Sequence, residues 1–226
     1  MRLDKFLSKA LYSDNGYYYN KKPIGKKNDF ITAPEISQMF GEIIAIYLYY
    51  NWKTRINSKF NFIELGPGLG TLFLDIYKSV SHFPEFLNSA DISFIEINRK
   101  LKKLQKHRIR KVLKGAKWLN SINYKSNFPS IIYSNEFFDC FPVRHFVFNK
   151  SWTEKYVFFN KEENKHYFKN KLVNNEKLLL YLKKYTKEKI LEISFDRDKY
   201  FEKICKLIKN KGGIFLTVDY GYFKNK

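Results

Sequence analysis

The feature that most limits what this chain can fold into is Asn61-Phe62-Ile63-Glu64-Leu65 running straight into Gly66-Pro67-Gly68-Leu69-Gly70-Thr71. A short apolar run that ends in closely spaced glycines and then opens a helix reads as the first strand and turn of a parallel α/β sheet. Gly66 permits the sharp exit from the strand. Gly68 lets the backbone approach a ligand with no side chain between, and Gly70 lets the next helix pack close. A ligand carboxylate can then rest at the helix N-terminus, where free N–H groups and the dipole favour an anion.

The spacing also selects the ligand. A nicotinamide dinucleotide loop, Gly-x-Gly-x-x-Gly, would need its third glycine at position 71, where Thr71 stands. Glu64 at the end of the strand would repel a pyrophosphate, yet it suits a positive amine and sulfonium. Both observations point to S-adenosyl-L-methionine. Glu96 closes the next strand about 30 residues after Leu65, where a carboxylate can accept ribose hydroxyls.

The rest of the chain supports one α/β plan. Helices are predicted over Leu3 to Tyr12, Pro34 to Trp52, about ten residues from Thr71, Arg99 to Lys111, Glu176 to Tyr185 and Lys199 to Lys209. Further strands are predicted over Asp91 to Glu96, Ser130 to Ser134 and Ile214 to Val218, the last opened by Gly212-Gly213. Thr32 or Ala33 sits just outside a helix that begins with Pro34. Tyr17 to Tyr19 and Pro23-Ile24-Gly25 lead into this region. Between Phe146 and Asn170 aromatic and polar residues alternate, and Tyr156 to Phe159 with His166 to Phe168 read as an inserted hairpin. The expected organisation is a helical extension over 1–55 that closes the cofactor site, then a Rossmann-like domain over 56–226 with an insert at about 146–190.

Composition excludes several classes. Apolar residues make up 44% of the 226 and aromatics 19%, which argues against disorder. No run approaches the roughly 18 apolar residues that cross a bilayer. Cys140 and Cys205 form neither a zinc set nor a disulfide framework. With first residues unlike a signal or transit peptide, they suggest a cytoplasmic protein. The formal charge of +20 is carried mostly by Lys, alongside abundant Asn, Ile, Phe and Tyr. That mixture is what AT-rich coding favours, with non-specific polyanion binding by the basic surface as the other reading.

Asn135-Glu136-Phe137-Phe138-Asp139 follows the strand expected beside the first, on the side away from the second, and so should face the reacting methyl at the switch point. Taken alone, these residues equally suit a helix N-cap.

Three blocks together resemble the MidA-like methyltransferases: Asp29-Phe30-Ile31-Thr32-Ala33-Pro34-Glu35-Ile36-Ser37-Gln38-Met39-Phe40-Gly41-Glu42, Glu64 to Thr71, and Asn135 to Asp139. Trp152-Thr153-Glu154, Glu192-Ile193-Ser194 and Asp219-Tyr220-Gly221 agree in order. Asn28 and Cys140 stand where the family often has Gly and Ala. The resemblance implies a class I fold, S-adenosyl-L-methionine as cofactor and methylation of a protein arginine, with complex I assembly as the family setting. It also implies that Thr32, Pro34, Ser37 and Gln38 help close the cofactor pocket. Family members continue past the Asp-Tyr-Gly element, so the expectation is that C-terminal strands are missing.

Among the site residues Glu136 is the candidate carboxylate beside the guanidinium, Asp139 the second candidate and Asn135 the positioning group. His145 reads as a strand residue, and Asp219 and Tyr220 as residues within reach of the pocket. Two other readings are an RNA methyltransferase, suggested by Arg99 to Lys117 with ten basic residues and no acid, and a non-catalytic assembly protein that keeps the fold. Expected partners are a protein substrate and polyanions; a homodimer is compatible with the sequence, and no metal is expected.

Overall fold

The computed structural model describes residues 1–20, 25, 29–122, 127–185 and 187–221. Pro23, Ile24 and Asn28, singled out above, lie outside them. The chain divides into two compact units, Met1–Asn20 with Phe141–Lys199 and Lys21–Cys140 with Tyr200–Lys226.

In chain order, α1 covers Leu3–Tyr12, α2 Tyr17–Asn20, α3 Ala33–Ile36 and α4 Gln38–Arg55. Strand β1 (Phe60–Leu65) leads to α5 (Thr71–Val80) and the short α6 (Pro84–Ser89). Strand β2 (Ala90–Ile95) leads to α7 (Arg99–Ile109), β3 (Lys117–Leu119) and β4 (Ser130–Asn135). Next come β5 (Arg144–Asn149), β6 (Ser151–Asn160), β7 (Lys165–Leu172), α8 (Glu176–Leu182) and β8 (Ile190–Ile193). The last elements are α9 (Phe195–Lys211) and β9 (Gly213–Val218).

The larger unit is a five-stranded sheet in the order β3-β2-β1-β4-β9, with every pair parallel. Strand β1 is buried along its whole length, which is why it reads as a nearly continuous apolar run. On one face Phe60, Phe62 and Tyr133 pack with Leu48 and Trp52 of α4 and Phe73 and Ile76 of α5. On the other, Ile63, Leu65 and Ile132 pack with Ile204 of α9. The one polar interruption in the strand's first half, Asn61, donates to the Phe128 and Pro129 carbonyls at 3.1 and 3.2 Å and to Ser130 Oγ at 3.1 Å. It thereby fastens β1 to the start of β4. Strand β9 approaches β4 so closely that a Cβ at Gly213 would lie 2.0 Å from the Ser130 carbonyl oxygen, so glycine is required there.

The smaller unit carries an antiparallel sheet in the order β7-β6-β5-β8, including the expected β6–β7 hairpin. Its buried ion pair is bidentate, Arg144 to Glu154 at 2.7 Å on both arms, and the Arg144 guanidinium lies over the Phe146 ring at 4.9 Å. Desolvation alone would lower the arginine's pKa, yet the Glu154 carboxylate holds it above the ordinary value. Helix α1 packs on β5 and β6. The first helix thus groups with the inserted strands, while α3 and α4 pack on α5 in the larger unit.

Other differences have local causes. The single helix expected over Pro34 to Trp52 is broken at Ser37, which is extended (φ −145°, ψ 128°) and whose Oγ accepts the Met39 N–H at 3.2 Å. Serine offers the backbone this alternative to helical bonding. Helix α9 begins at Phe195 rather than Lys199, because the Ser194 hydroxyl and carbonyl accept the Arg197 and Asp198 N–H groups. This gives the Glu192-Ile193-Ser194 block a structural role, as the end of β8 and the cap of α9. His145 lies in β5 opposite Glu192, as a strand residue.

Candidate active site

The turn from β1 to α5 holds three consecutive alternate glycines in the left-handed region, Gly66 (φ 60°), Gly68 (φ 53°) and Gly70 (φ 78°). Conformation is one reason for glycine at Gly66; space is the other, since a Cβ there would meet Phe137 Cδ2 at 2.7 Å. Beside this turn lies Glu64, buried, with Tyr133 Oη donating to its Oε2 at 3.3 Å. Burial pushes its carboxyl up to about 8, and the Tyr133 hydroxyl offsets only part of the rise. A buried carboxyl at this position fits a cationic ligand group and would resist a phosphate.

Glu96 directly follows β2. Its Oε1 accepts the Asn98 N–H at 2.8 Å, and its Oε2 accepts Gln105 Nε2 at 3.1 Å. Burial raises its pKa against these bonds. Gln105, fully buried, also donates to the Gly68 carbonyl at 2.8 Å and accepts Trp118 Nε1–H at 3.1 Å. One turn on, Arg108 Nη1 donates to the Leu69 carbonyl at 2.6 Å and to Thr71 Oγ1 at 3.2 Å. Helix α7 therefore grips the glycine turn and the Glu96 carboxylate together. Sequence reasoning missed this, reading Arg99 to Lys117 only for its charge; the signal was Gln105 standing between Leu101 and Ile109 at four-residue spacing, on the helix's apolar stripe. Gln105→Leu would leave the buried Glu96 carboxylate and the half-buried Gly68 carbonyl and Trp118 N–H without their partner, at about 1–3 kcal/mol for the buried group and less for the others. The expected result is a lower urea midpoint and, in titration calorimetry, a cofactor affinity reduced about tenfold or more. An unchanged affinity in the folded variant would contradict the assignment.

The third element is the loop after β4. Glu136 has φ 49°, a conformation that is uncommon outside glycine. Asn135 Nδ2 donates to its Oε1 at 3.3 Å. Burial raises the Glu136 carboxyl, the Asn135 bond opposes the rise, and the neighbouring Asp139 carboxylate adds to it. The Ala33 backbone N–H opposes it and Asp219 adds a smaller push. Asp139 is likewise raised, by burial first and then by Asp219. Asp219 Oδ2 accepts the Phe138 N–H at 2.8 Å and the Asp139 N–H at 3.4 Å, tethering the loop to the end of β9. Three carboxylates thus converge at the ends of adjacent parallel strands.

Of the N-terminal block, Ala33 is brought to Glu136, and Pro34 is buried in the first turn of α3. Thr32 caps α3 by position, without a side-chain bond. Ser37 caps α4, and Gln38 Nε2 bonds Glu42 Oε1 at 2.7 Å on the helix surface. Pro67 accepts the Gly70 N–H through its carbonyl at 2.6 Å. Among the described residues no cluster of metal-ligating side chains occurs.

A parallel sheet with β1 between β2 and β4, a left-handed glycine turn and acids ending β1 and following β2 define a class I, Rossmann-like methyltransferase fold. Residues 43–226 match the family model described as "Putative S-adenosyl-L-methionine-dependent methyltransferase", and the chain belongs to that family. S-adenosyl-L-methionine is the family's cofactor, and the buried Glu64, the glycine turn and Glu96 fit it. The mitochondrial protein arginine methyltransferase NDUFAF7 of Xenopus laevis is 28% identical over 239 residues, covering 93% of this chain and 54% of that protein. Human NDUFAF7 is 32% identical over 166 residues, 63% of this chain and 38% of that protein. The chain spans about half the length of the curated relatives that it matches along most of its own length. A Burkholderia thailandensis crystal structure bound to S-adenosyl-homocysteine superposes with a TM-score of 0.77 at 18% identity, covering 98% of this chain and 58% of that one. That likeness is one of fold.

Proposed function

We propose that this chain transfers a methyl group from S-adenosyl-L-methionine to an arginine side chain of a protein. The observation that carries the reading is the convergence of Glu136, Asp139 and Asp219, in which Asp139 and Asp219 add to the rise that burial gives Glu136, and Asp219 adds to that of Asp139. A guanidinium, cationic at neutral pH, is the substrate group such a cluster would accept. The relatives named protein arginine methyltransferase support the same substrate class.

The bound cofactor supplies an electrophilic methyl on a sulfonium. Glu64 would hold its positive amino-acid end, Glu96 its ribose hydroxyls, and the N–H groups of the glycine turn its carboxylate. Thr32, Pro34, Ser37 and Gln38 are proposed to close the pocket over it, with residues 29–55 as the closing segment. Glu136 would pair with one guanidinium nitrogen, concentrating positive charge there and leaving the lone pair of another free to attack. Asn135 holds the Glu136 carboxylate, and Asp219 holds the loop that carries it. Asp139 is the second acid to which the released proton can pass.

Glu136→Gln should cut methylation, read as labelled methyl incorporated into protein, by about 100-fold or more while cofactor affinity stays within a few-fold of wild type. Full activity in that variant would reject Glu136 as the base-side carboxylate.

A second reading, RNA methylation, is favoured by an open cleft of about 410 Å³ lined by Lys106, His107, Arg110 and Lys111 on and just beyond α7. Methyl incorporated into RNA but not protein would select it. Cofactor binding without transfer to either would select the non-catalytic assembly reading. The basic surface is proposed to hold polyanions non-specifically. Among the described residues no helix is long and apolar enough to cross a membrane. The cytoplasm is proposed as the compartment from the cysteine usage, although the curated relatives are named as mitochondrial, and imaging of a tagged chain decides between the two.

A further inference from the structure

Helix α4 is apolar on two opposite faces. Ala45, Leu48 and Trp52 are buried against the sheet, and Gly41 sits so close to α5 that a Cβ would reach Asp75 Cβ at 2.5 Å. On the far side Met39, Ile43, Ile46 and Tyr50 recur at helical spacing and are 62%, 58%, 64% and 63% exposed, with Tyr47 beside them. A surface helix ordinarily turns charged residues outward, and one that is hydrophobic all round has both faces covered. A row of large exposed side chains of this kind marks an interaction surface.

The charges on the helix say what covers it. Glu42 in its second turn and Lys53 in its last turn both flank the apolar row, Lys53 lying also 3.9 Å from Glu85. Laid parallel on an identical helix, each end would face its like. Laid antiparallel across a two-fold axis, the acidic end of one copy meets the basic end of the other, and the apolar row meets itself. A membrane surface is the poorer occupant, because an interfacial helix flanks its apolar face with Lys and Arg rather than with acids.

We propose that the outer face of α4 is a two-fold interface between two copies of this chain, with the helices antiparallel and crossing near Ile46. One such helix pair buries an area at the low end of specific interfaces, roughly 1,200 Å² in total, so a dimer of micromolar affinity is expected.

Sedimentation equilibrium of the whole purified chain, from about 1 to 100 µM, should show the mass rising from 27.2 kDa towards twice that value. Ile43→Glu or Ile46→Glu should weaken association by about 100-fold or more. Circular dichroism should stay as in wild type, and thermal melting should match it at concentrations where wild type is a single copy, since both positions are exposed in the single chain. The register is tested by mild oxidation: Ile46→Cys should give a disulfide-linked pair above the wild-type background, and Met39→Cys, placed against the partner helix's other end, should not. A wild-type chain that keeps single-copy mass throughout overturns the proposal. A dimer indifferent to both glutamate substitutions, or linked at Met39→Cys and not at Ile46→Cys, overturns it equally.

Discussion

Replacing Gly66 with valine is expected to remove cofactor binding altogether in calorimetric titration, with the affinity falling by at least about 100-fold. Two costs add at this position. The backbone sits at φ 60°, a region that a β-branched residue enters only under strain of about 1–3 kcal/mol. The new side chain would also start 2.7 Å from the Phe137 ring, closer than carbon atoms approach. Phe137 has little freedom to retreat, since it packs on Phe138 at 5.3 Å and on Tyr200 at 5.4 Å between ring centroids. Any shift therefore passes into the loop that carries Glu136. Gly66→Val should lose both binding and transfer, where Glu136→Gln loses transfer alone. Affinity within a few-fold of wild type would show that the β1–α5 turn does not hold the ligand.

The second large effect is a pH dependence set by Glu64. An ordinary glutamate titrates near 4.5, and burial raises this one to about 8. Below pH 4.5 the carboxyl is protonated in the folded and unfolded chain alike, so it costs nothing. As the pH rises from there towards 8, the unfolded chain releases the proton and the folded chain retains it. Stability falls across that window and levels off above it, the full difference being on the order of 5 kcal/mol. Urea unfolding of wild type and Glu64→Gln isolates the contribution, because other ionisations cancel in the difference. The two should be closely matched at pH 5, and the glutamine variant should be several kcal/mol the more stable at pH 9. Parallel curves would mean that Glu64 titrates normally. A cationic cofactor should reverse the preference, so its binding at pH 7 should release a proton, read as a dependence of the binding enthalpy on the buffer.

The parts of this fold that could be read from the sequence are those where one physical requirement dominates a short segment. A strand buried on both faces must be apolar, which exposed β1, β2 and β4, and a left-handed turn must carry glycine, which exposed Gly66, Gly68 and Gly70. The order of β2, β1 and β4 followed from the same logic. Signals failed where tertiary partners decide. Strand β3 has three residues, too few for any period. The break at Ser37 depends on a hydroxyl bonding two residues on, within a pattern that scans as one helix. Gln105 looked like one more polar residue on a basic helix, and only the fold shows it buried between Gly68, Glu96 and Trp118. The members of the carboxylate cluster were visible, Glu136 and Asp139 in one motif and Asp219 at the end of the last strand, but the bonds by which Asp219 ties the Phe138–Asp139 backbone across roughly 80 residues were not.

The pairing of α1 with β5 and β6 has a consequence for biosynthesis. Helix α1 leaves the ribosome roughly 140 residues ahead of the strands it packs on, which at cellular elongation rates is on the order of ten seconds. During that interval strands β1 to β4 can already associate, because they are contiguous in the nascent chain, whereas α1 must wait as an orphan amphipathic segment. A chaperone that scans emerging chains would therefore meet α1 early and release it late, and slower translation through residues 144–160 would lengthen its exposure.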